Sequence, residues 1–303
     1  MQIGHTPLIR LERVIPDNGV EIWVKWEGAN PTGSMKDRMA LSMVQGAVGR
    51  GELPAGGRVV EYTGGSTGSS LAMICAVLGY QAHFVSSDAI AEEKLQTMRA
   101  FGARLDVLPS EGGKITPALI QAMIARTREL STEPQTYWTD QFNNPDNPAG
   151  YRGMADETIE ALGGRFDEFV MMVGTSGCFS GHATVFKAQV PGVRCVAGEP
   201  ATSRALSGVT PLSGHRIEGT GVGFAPSNHR ADLTDAVVAV SDADAFAIAR
   251  RLAREEGIFG GISSGANVWI ALERARALPA GARIVTTICD TGLKYLAGDL
   301  YRD

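Results

Sequence analysis

Short β-rich runs alternate with amphipathic stretches along most of the chain, and this alternation limits the folds it can adopt. Several runs are almost continuously apolar, as expected for strands that are covered on both faces. A parallel sheet with helices on both sides accommodates such a pattern, so the sequence predicts a doubly wound α/β architecture. Strands are predicted at residues 22–26, 58–62, 82–86, 104–108, 168–173, 193–199, 236–240 and 283–289. Helices are predicted at residues 35–50, 69–78, 92–101, 117–130, 156–162, 178–189, 243–256 and 264–278.

The predicted strands are too many for one small sheet, which indicates two domains with parallel or mostly parallel sheets. Residues 139–153 are rich in Asn, Asp, Pro and Gly, a composition that predicts a loop crossing between the domains. We therefore expect a larger domain formed by residues 1–40 and 144–303, and a smaller one formed by residues 41–143.

The charge balance of the chain argues against a nucleic-acid partner. Its 303 residues carry a net charge of −5, whereas binding to phosphate backbones depends on clustered Lys and Arg. No apolar run approaches the roughly 18 residues of a membrane span. The N-terminus also lacks the basic and apolar segments of a secretory signal. We therefore expect neither nucleic acid nor a membrane as a partner.

The four cysteines, Cys75, Cys178, Cys195 and Cys289, are far apart, and none belongs to a CxxC pair. This spacing disfavours a disulfide framework or a zinc cluster, so no metal site is predicted. Thiols that serve as small core residues are typical of a reducing compartment, and we expect the protein in the cytoplasm.

Three turns rich in glycine and hydroxyl groups precede predicted helices, at residues 63–68, 174–178 and 260–265. Glycine lets the backbone approach a ligand closely, and a helix N-terminus offers free N–H groups to an anion. One such turn is weak evidence, because plain strand–helix connections look alike, but three together favour anion binding. None matches GxxxxGK[ST], which disfavours a nucleotide P-loop.

Lys36 ends the turn sequence Asn-Pro-Thr-Gly-Ser-Met-Lys and opens a predicted amphipathic helix. A lone lysine is usually a solvated surface residue, yet this is a poor position for a merely solubilising charge. From the spacing alone, a surface charge and a functional amine are equal alternatives.

The ordered set of motifs resembles the fold type II pyridoxal-phosphate enzymes, and within them the cysteine synthase and cystathionine β-synthase family. The matching segments run through nearly the whole chain in the family's order. They read IGHTPL, NPTGSMKDR, TGGSTG, QFNNP, GTSGC, GTGVGF and GISSG, at residues 3–8, 30–38, 63–68, 141–145, 174–178, 219–224 and 261–265.

The resemblance implies a role for each matching residue. Pyridoxal 5'-phosphate would lie between the domains, held as a Schiff base by Lys36, whose amine then moves the proton at the substrate's Cα. The larger domain would bind the cofactor, its phosphate held by Gly174, Thr175, Ser176, Gly177 and Cys178 and its pyridine nitrogen by Ser263. The smaller domain would hold the substrate's α-carboxylate with Thr63, Gly64, Gly65, Ser66, Thr67 and Gln141. Ser66 would also contact the cofactor. The family further implies a homodimer and a small amino-acid substrate.

Two departures from the family pattern concern the substrate loop and the phosphate loop. The substrate loop reads Thr-Gly-Gly-Ser-Thr-Gly where relatives commonly read Thr-Ser-Gly-Asn-Thr-Gly, so Ser66 replaces an asparagine and Gly64 a serine. A serine hydroxyl reaches less far and forms fewer hydrogen bonds than a carboxamide. The change is either a conservative variant with a bridging water or a change in substrate or reaction preference. Cys178 replaces a threonine that donates to the phosphate, and a thiol is a weaker donor.

The neutral hydroxyl expected at the pyridine nitrogen, that of Ser263, suits loss of a β-substituent to give an enzyme-bound aminoacrylate. The leading hypothesis is therefore β-replacement on O-activated serine or a related amino acid, cysteine synthase-like. Release of the aminoacrylate would instead make the chain a β-elimination lyase, such as a cysteine desulfhydrase or a serine/threonine dehydratase. An alternative of another class is a pyridoxal-phosphate-binding regulatory or partner-binding homologue, against which intact Lys36, Ser263 and Gln141 argue.

Overall fold

The strands of the computed structural model, which describes residues 2–209 and 214–302, belong to two units. The four-stranded unit consists of Lys36–Gly150 with residues 2–3, and the six-stranded unit of Gly4–Met35 with residues 151–302. The strands are β1 Leu8–Arg10, β2 Glu21–Trp26, β3 Arg58–Tyr62, β4 Gln81–Ser87, β5 Arg104–Leu108, β6 Thr136–Trp138, β7 Glu168–Met172, β8 Arg194–Pro200, β9 Ala236–Val240 and β10 Arg283–Ile288. The helices are α1 Lys36–Gly49, α2 Ser66–Leu78, α3 Glu92–Ala100, α4 Pro117–Ser131, α5 Asp146–Ala149, α6 Arg152–Leu162, α7 Gly177–Gln189, α8 Asp242–Arg251 and α9 Ile262–Ala275.

The sheet of the four-stranded unit has the order β5-β4-β3-β6, and all of its pairs are parallel. β3 and β6 are neighbours, with Val60 opposite Trp138. Because the carboxyl ends of parallel strands meet at one edge of a sheet, the segments that follow these two strands leave it side by side. That edge therefore brings residues 63–68 next to residues 139–144.

The sheet of the six-stranded unit has the order β1-β2-β10-β7-β8-β9, with β1 antiparallel to β2 and the other pairs parallel. Its strand β7 is buried along its whole length and leads directly into residues 174–178. Asn267 holds α9 against this sheet, since its Oδ1 accepts Met172 N at 2.7 Å and its Nδ2 donates to Thr287 O at 2.8 Å. The second turn of α9 is thereby anchored to the carboxyl end of β7.

The predicted fold class, doubly wound α/β with two mostly parallel sheets, is confirmed. The short strands β1 and β6 were not predicted, because three residues are too few to display a period. The predicted single helix 243–256 is instead α8 followed by a π-helical turn, Leu252–Glu256. α2 begins at Ser66, three residues before its predicted start.

The stretch 139–153 is wrong as a continuous loop, because it contains α5 and the first residues of α6. Side chains supply hydrogen bonds that make the short helix possible in an Asn- and Pro-rich sequence. Asn144 Oδ1 accepts Asp146 N at 2.9 Å, and Asn147 Nδ2 donates to Gln141 O at 2.7 Å.

The unit boundaries lie a few residues from the predicted domain boundaries. The predicted boundary between residues 40 and 41 falls within α1, whereas the whole helix belongs to the four-stranded unit. The second boundary follows Gly150 rather than residue 143. Lys36 therefore shares a unit with residues 63–67 and Gln141.

Neither a membrane-spanning helix nor a metal cluster occurs among the described residues. In the parts of the chain at 2–209 and 214–302, no helix combines the length and apolar character needed to cross a bilayer. The same residues contain no group of three or more His, Cys, Asp or Glu side chains placed to hold a metal ion.

Candidate active site

Lys36 is the first residue of α1, and its side chain is half-buried. The next residue, Asp37, is fully buried and accepts a hydrogen bond from Ser70 Oγ at 2.6 Å. Ser70 lies in α2, the helix that follows the loop at 63–68, so this bond ties the start of α1 to α2. The lysine and the loop are thereby held on one scaffold within the four-stranded unit.

Two other lysines are engaged in structural contacts. Lys25 is 3% exposed and pairs with Glu157 at 2.7 Å. Lys187 pairs with Asp235 at 2.6 Å on the surface of the six-stranded unit. An amine held in this way would have to break an ion pair before it could bind a cofactor, which disfavours these two lysines for that role.

The loop at 63–68 leads from β3 into α2, whose first three residues it includes, and the hydroxyl of Thr63 organises it. Thr63 Oγ1 accepts hydrogen bonds from Gly65 N at 3.4 Å and from Gly68 N at 3.2 Å. Thr67 is buried, and its hydroxyl donates to Gln141 Oε1 at 3.0 Å. The structure thus brings together the two segments predicted to hold the substrate's α-carboxylate.

Gly64 and Ile90 occupy complementary space beside this loop. A Cβ built at position 64 would lie 2.5 Å from Ile90 Cδ1, so any larger residue would require the isoleucine side chain to move. The glycine that replaces the family serine is therefore matched by a neighbouring side chain. Ser66 is half-buried and is the first residue of α2; nothing in the structure explains why it replaces the family asparagine.

The loop at 174–178 in the six-stranded unit has the features of an anion cradle. Gly174 cannot carry a side chain, because a Cβ would lie 2.0 Å from Gly219 O. Ser176 adopts the left-handed conformation, with φ at +64°, and turns the chain into α7 at Gly177. The N-terminus of α7, with the positive end of the helix dipole, therefore lies at a loop with little side-chain bulk. These residues fit the phosphate of pyridoxal phosphate.

A contact between Ser176 and His229 supports this loop and was not predicted from the sequence. Ser176 Oγ lies 2.9 Å from His229 Nδ1, and the next backbone N–H, that of Arg230, donates to Ser180 Oγ at 3.2 Å. Burial lowers the pKa of the His229 imidazole, which favours its neutral form at pH 7. No motif marks this histidine, so only the fold reveals that it contacts the loop.

Cys178 is the second residue of α7 and is buried. His182, one turn along the helix, places its Nδ1 2.8 Å from Cys178 O and 3.7 Å from the thiol sulfur. The imidazole therefore bonds mainly with the carbonyl group. A thiol is a weak donor, so the contact of backbone N–H groups with the cofactor phosphate at this position stays a prediction.

Ser263 is the second residue of α9 and is buried. The preceding Gly261 lies against the Asp290–Tyr295 pair, since a Cβ on it would be 2.4 Å from Asp290 Oδ1. Tyr295 donates to the other oxygen of this carboxylate at 2.8 Å. Burial, reinforced by Asp290, raises the pKa of Tyr295 well above its ordinary value, so the phenol stays protonated. Ser263 thus lies in the first turn of a helix whose N-terminus is closely packed against Asp290 and Tyr295.

The predicted site residues therefore fall into two groups. The four-stranded unit contains Lys36, Thr63, Gly64, Gly65, Ser66, Thr67 and Gln141. The six-stranded unit contains Gly174, Thr175, Ser176, Gly177, Cys178 and Ser263. Glu61, a buried carboxylate beneath the loop at 63–68, and His229 were missed by the sequence prediction.

Comparisons with known proteins agree with these features. A family model described as pyridoxal-phosphate dependent enzyme matches residues 1–290. Cysteine synthase B of Salmonella typhimurium is 39% identical over 300 residues, which cover 99% of this chain and 94% of the relative. A solved O-ureido-L-serine synthase has 36% identity and a TM-score of 0.92, over 99% of this chain and 93% of its own. A hydrogen sulfide-producing enzyme of Fusobacterium nucleatum has 36% identity and a TM-score of 0.89, over 97% and 96% of the two chains.

The family model matches almost the whole chain. The relatives align with the chain over nearly their full lengths. The resemblance in the ordered motifs is thereby confirmed, and pyridoxal phosphate is the cofactor. The chain belongs to the pyridoxal-phosphate dependent enzymes, within the cysteine synthase family.

Proposed function

We propose that this enzyme carries out β-replacement on an O-activated serine, in the manner of a cysteine synthase. The hydrogen bond between Thr67 and Gln141 carries the proposal, because it joins the two predicted carboxylate-binding segments in the unit that contains Lys36. The names of the relatives, a cysteine synthase and an O-ureido-L-serine synthase, point to the same reaction class.

Each group of residues has a distinct task in this proposal. Bound pyridoxal phosphate supplies an electron sink that assists departure of a substituent from the substrate's β-carbon. Lys36 holds the cofactor and takes the proton from the substrate's Cα, a step that suits a lysine amine. Thr63, Thr67, Gln141 and the backbone N–H groups of the loop bind the α-carboxylate and orient that Cα.

The six-stranded unit anchors the cofactor in this proposal. The loop from Gly174 to Cys178 holds the phosphate through backbone N–H groups and the dipole of α7. Ser263 offers a neutral hydroxyl to the pyridine nitrogen, which limits the positive charge on the ring and favours loss of a β-substituent over reactions that need a long-lived carbanion.

A β-elimination lyase is the second candidate function, and the substrate loop is the observation that favours it. Gly64 and Ser66 present less side-chain surface and fewer hydrogen-bond groups to the substrate than the serine and asparagine of relatives. If the loop binds the substrate less firmly after the β-substituent has left, release and hydrolysis of the remaining amino-acid fragment would be favoured over addition of a nucleophile. The hydrogen sulfide-producing enzyme among the similar structures shares the scaffold.

A substrate comparison separates these functions. With O-acetyl-L-serine and sulfide, we expect cysteine to form at least tenfold faster than L-cysteine alone yields sulfide and pyruvate. The reverse ratio, measured by product analysis of the same holoenzyme preparation, would assign the chain to the lyases. No change in cofactor absorbance with either substrate would instead favour the regulatory or partner-binding alternative.

Replacing Ser66 with asparagine tests the loop directly. If Ser66 shifts the balance from replacement toward elimination, Ser66→Asn should raise the ratio of replacement to elimination by about three- to tenfold. The reason is that the carboxamide adds hydrogen bonds of about 1 kcal/mol each. Ala76→Asn, at an exposed position of the same helix, is the control and should leave the ratio unchanged. An unaltered ratio in Ser66→Asn would support a conservative variant of the family loop.

Assembly and location rest on the resemblance and on the cysteines. We propose a homodimer, which sedimentation equilibrium of the holoenzyme would reveal as twice the 32.0 kDa mass of the chain. We also propose a cytoplasmic location. All four thiols are buried and none is in a disulfide, as expected in a reducing compartment.

A further inference from the structure

Glu61 is a carboxylate enclosed in the sheet of the four-stranded unit. It lies in β3, one residue before the strand ends, and its exposed fraction is 0%. A buried carboxylate is strongly unfavourable unless charges or hydrogen bonds compensate it. No cation among residues 2–209 and 214–302 forms an ion pair with it, so hydrogen bonds must stabilise it.

Four donors converge on this carboxylate, two on each oxygen. Oε2 accepts Thr139 Oγ1 at 2.6 Å and Gln141 N at 3.0 Å. Oε1 accepts Trp138 Nε1 at 3.3 Å and Tyr62 N at 3.0 Å. Three of these donors belong to the segment 138–141, which ends β6 and contains Gln141. Glu61 therefore fixes the path of the chain where it leaves the sheet.

Gln141 is held at three points as a result. Its backbone N–H is fixed by Glu61, its carbonyl accepts Asn147 Nδ2 at 2.7 Å, and its side-chain oxygen accepts the hydroxyl of Thr67. Removing the first of these constraints would loosen the backbone of Gln141 just after the end of β6. Tyr62, which leads into that loop, is bound to the same carboxylate.

We propose that Glu61 is a positioning residue for substrate binding: it sets the places of Gln141 and of the loop at 63–68, through which the substrate's α-carboxylate is held. Glu61 does not itself contact substrate or cofactor in this scheme. The inference rests on the proposed function for the identity of the substrate, although the contacts that carry it belong to the four-stranded unit alone.

The chemistry of the four contacts favours a carboxyl group over an amide at this position. Two of the donors are backbone N–H groups, which cannot reverse their role, and the indole N–H is likewise only a donor. An amide in place of the carboxylate would turn its NH2 group toward at least one of them. Burial raises the pKa of Glu61 to about 7 despite these hydrogen bonds, which shows how strongly the site desolvates the charge.

Glu61→Gln in the holoenzyme is the first test, since it preserves shape and removes the second acceptor. We expect KM for O-acetyl-L-serine to rise about tenfold while kcat stays within about threefold, because a misplaced Gln141 weakens binding without altering Lys36. Glu133→Gln, at an exposed glutamate of the same unit that pairs with Arg58, should change neither constant. A fall in kcat at unchanged KM would overturn the proposal.

Binding of L-alanine and L-alaninamide separates positioning from general damage and does not depend on the reaction catalysed. Measured by the change in cofactor absorbance, L-alanine should bind about tenfold more weakly to Glu61→Gln, whereas the amide, which lacks the carboxylate, should bind equally to both proteins. An equal loss for both probes would mean a merely structural role. Failure of O-acetyl-L-serine as a substrate would count against the proposed function and leave this comparison intact.

Thr139→Val provides a second variant in case Glu61→Gln does not fold. Valine keeps the shape of the fully buried Thr139 and removes one donor to Glu61 Oε2, leaving the carboxylate in place. KM for O-acetyl-L-serine and the dissociation constant of L-alanine should both rise about threefold. In a Gln141→Ala background the same substitution should add less than twofold, because Gln141 transmits the effect. A full additive effect there would contradict the proposal.

Discussion

Replacing Lys36 with alanine is expected to lower kcat/KM by on the order of a thousandfold or more and to abolish the covalent hold on pyridoxal phosphate. The variant lacks the amine that the proposed function uses twice, to hold the cofactor and to move the proton at the substrate's Cα. Its stability should change little, because the side chain is only half-buried. Steady-state kinetics and the visible absorbance of the purified protein measure the two effects.

Lys114→Ala is the matched control, since Lys114 is an exposed lysine of the same unit. This variant should keep both the absorbance and the rate of the parent enzyme. A Lys36→Ala protein that retained the absorbance and turned over normally would show that another residue holds the cofactor.

Gly174→Ala is expected to reduce the free energy of unfolding by about 3 kcal/mol, at the upper end of what an overpacked site usually costs. The reason is local: the added Cβ would lie 2.0 Å from Gly219 O, a backbone atom that cannot move aside as a flexible side chain can. The forced shift would displace the phosphate loop, so cofactor affinity should fall with stability. Urea unfolding of the cofactor-free protein and titration with pyridoxal phosphate measure the two losses separately.

Gly153→Ala is the matched control for this substitution. Gly153 lies in α6, and a Cβ there would meet no atom within 4 Å. Alanine should stabilise the protein by up to about 1 kcal/mol, because it favours the helical conformation more than glycine does. If Gly174→Ala were as stable as the parent and bound the cofactor equally well, the close packing at Gly174 would contribute neither to stability nor to cofactor binding.

Strands of five or more residues could be predicted from the sequence because they are long enough to display an apolar run. β3, β5 and β9 begin and end where their apolar runs predict. Strands of three residues, such as β6, contain too little pattern, yet β6 is what places Gln141 beside the loop at 63–68. The helix α5 was hidden by its Asn- and Pro-rich composition, since its stability depends on side-chain hydrogen bonds rather than on an amphipathic repeat.

Only the site residues that lie within recognisable motifs could be predicted from the sequence. The family resemblance of the ordered motifs predicts the role of Lys36, and the structure adds the bond from Ser70 to Asp37 that ties its helix to α2. One feature of the sequence could have pointed to Glu61: it is a charged residue beside two valines in the strand Arg-Val-Val-Glu-Tyr. A charge in such a run indicates a buried side chain that needs hydrogen-bond partners. His229 has no such feature, because its contact with Ser176 depends on a loop without periodicity.

Identifying the lysine that holds the cofactor tests the central claim most directly. Reduction of the holoenzyme with borohydride, followed by proteolysis and mass spectrometry, attaches the pyridoxyl group permanently to whichever amine carried it. We predict the modification on Lys36, in the peptide that contains Asn-Pro-Thr-Gly-Ser-Met-Lys-Asp-Arg. Modification of any of the other five lysines, with Lys36 unmodified, would contradict this account.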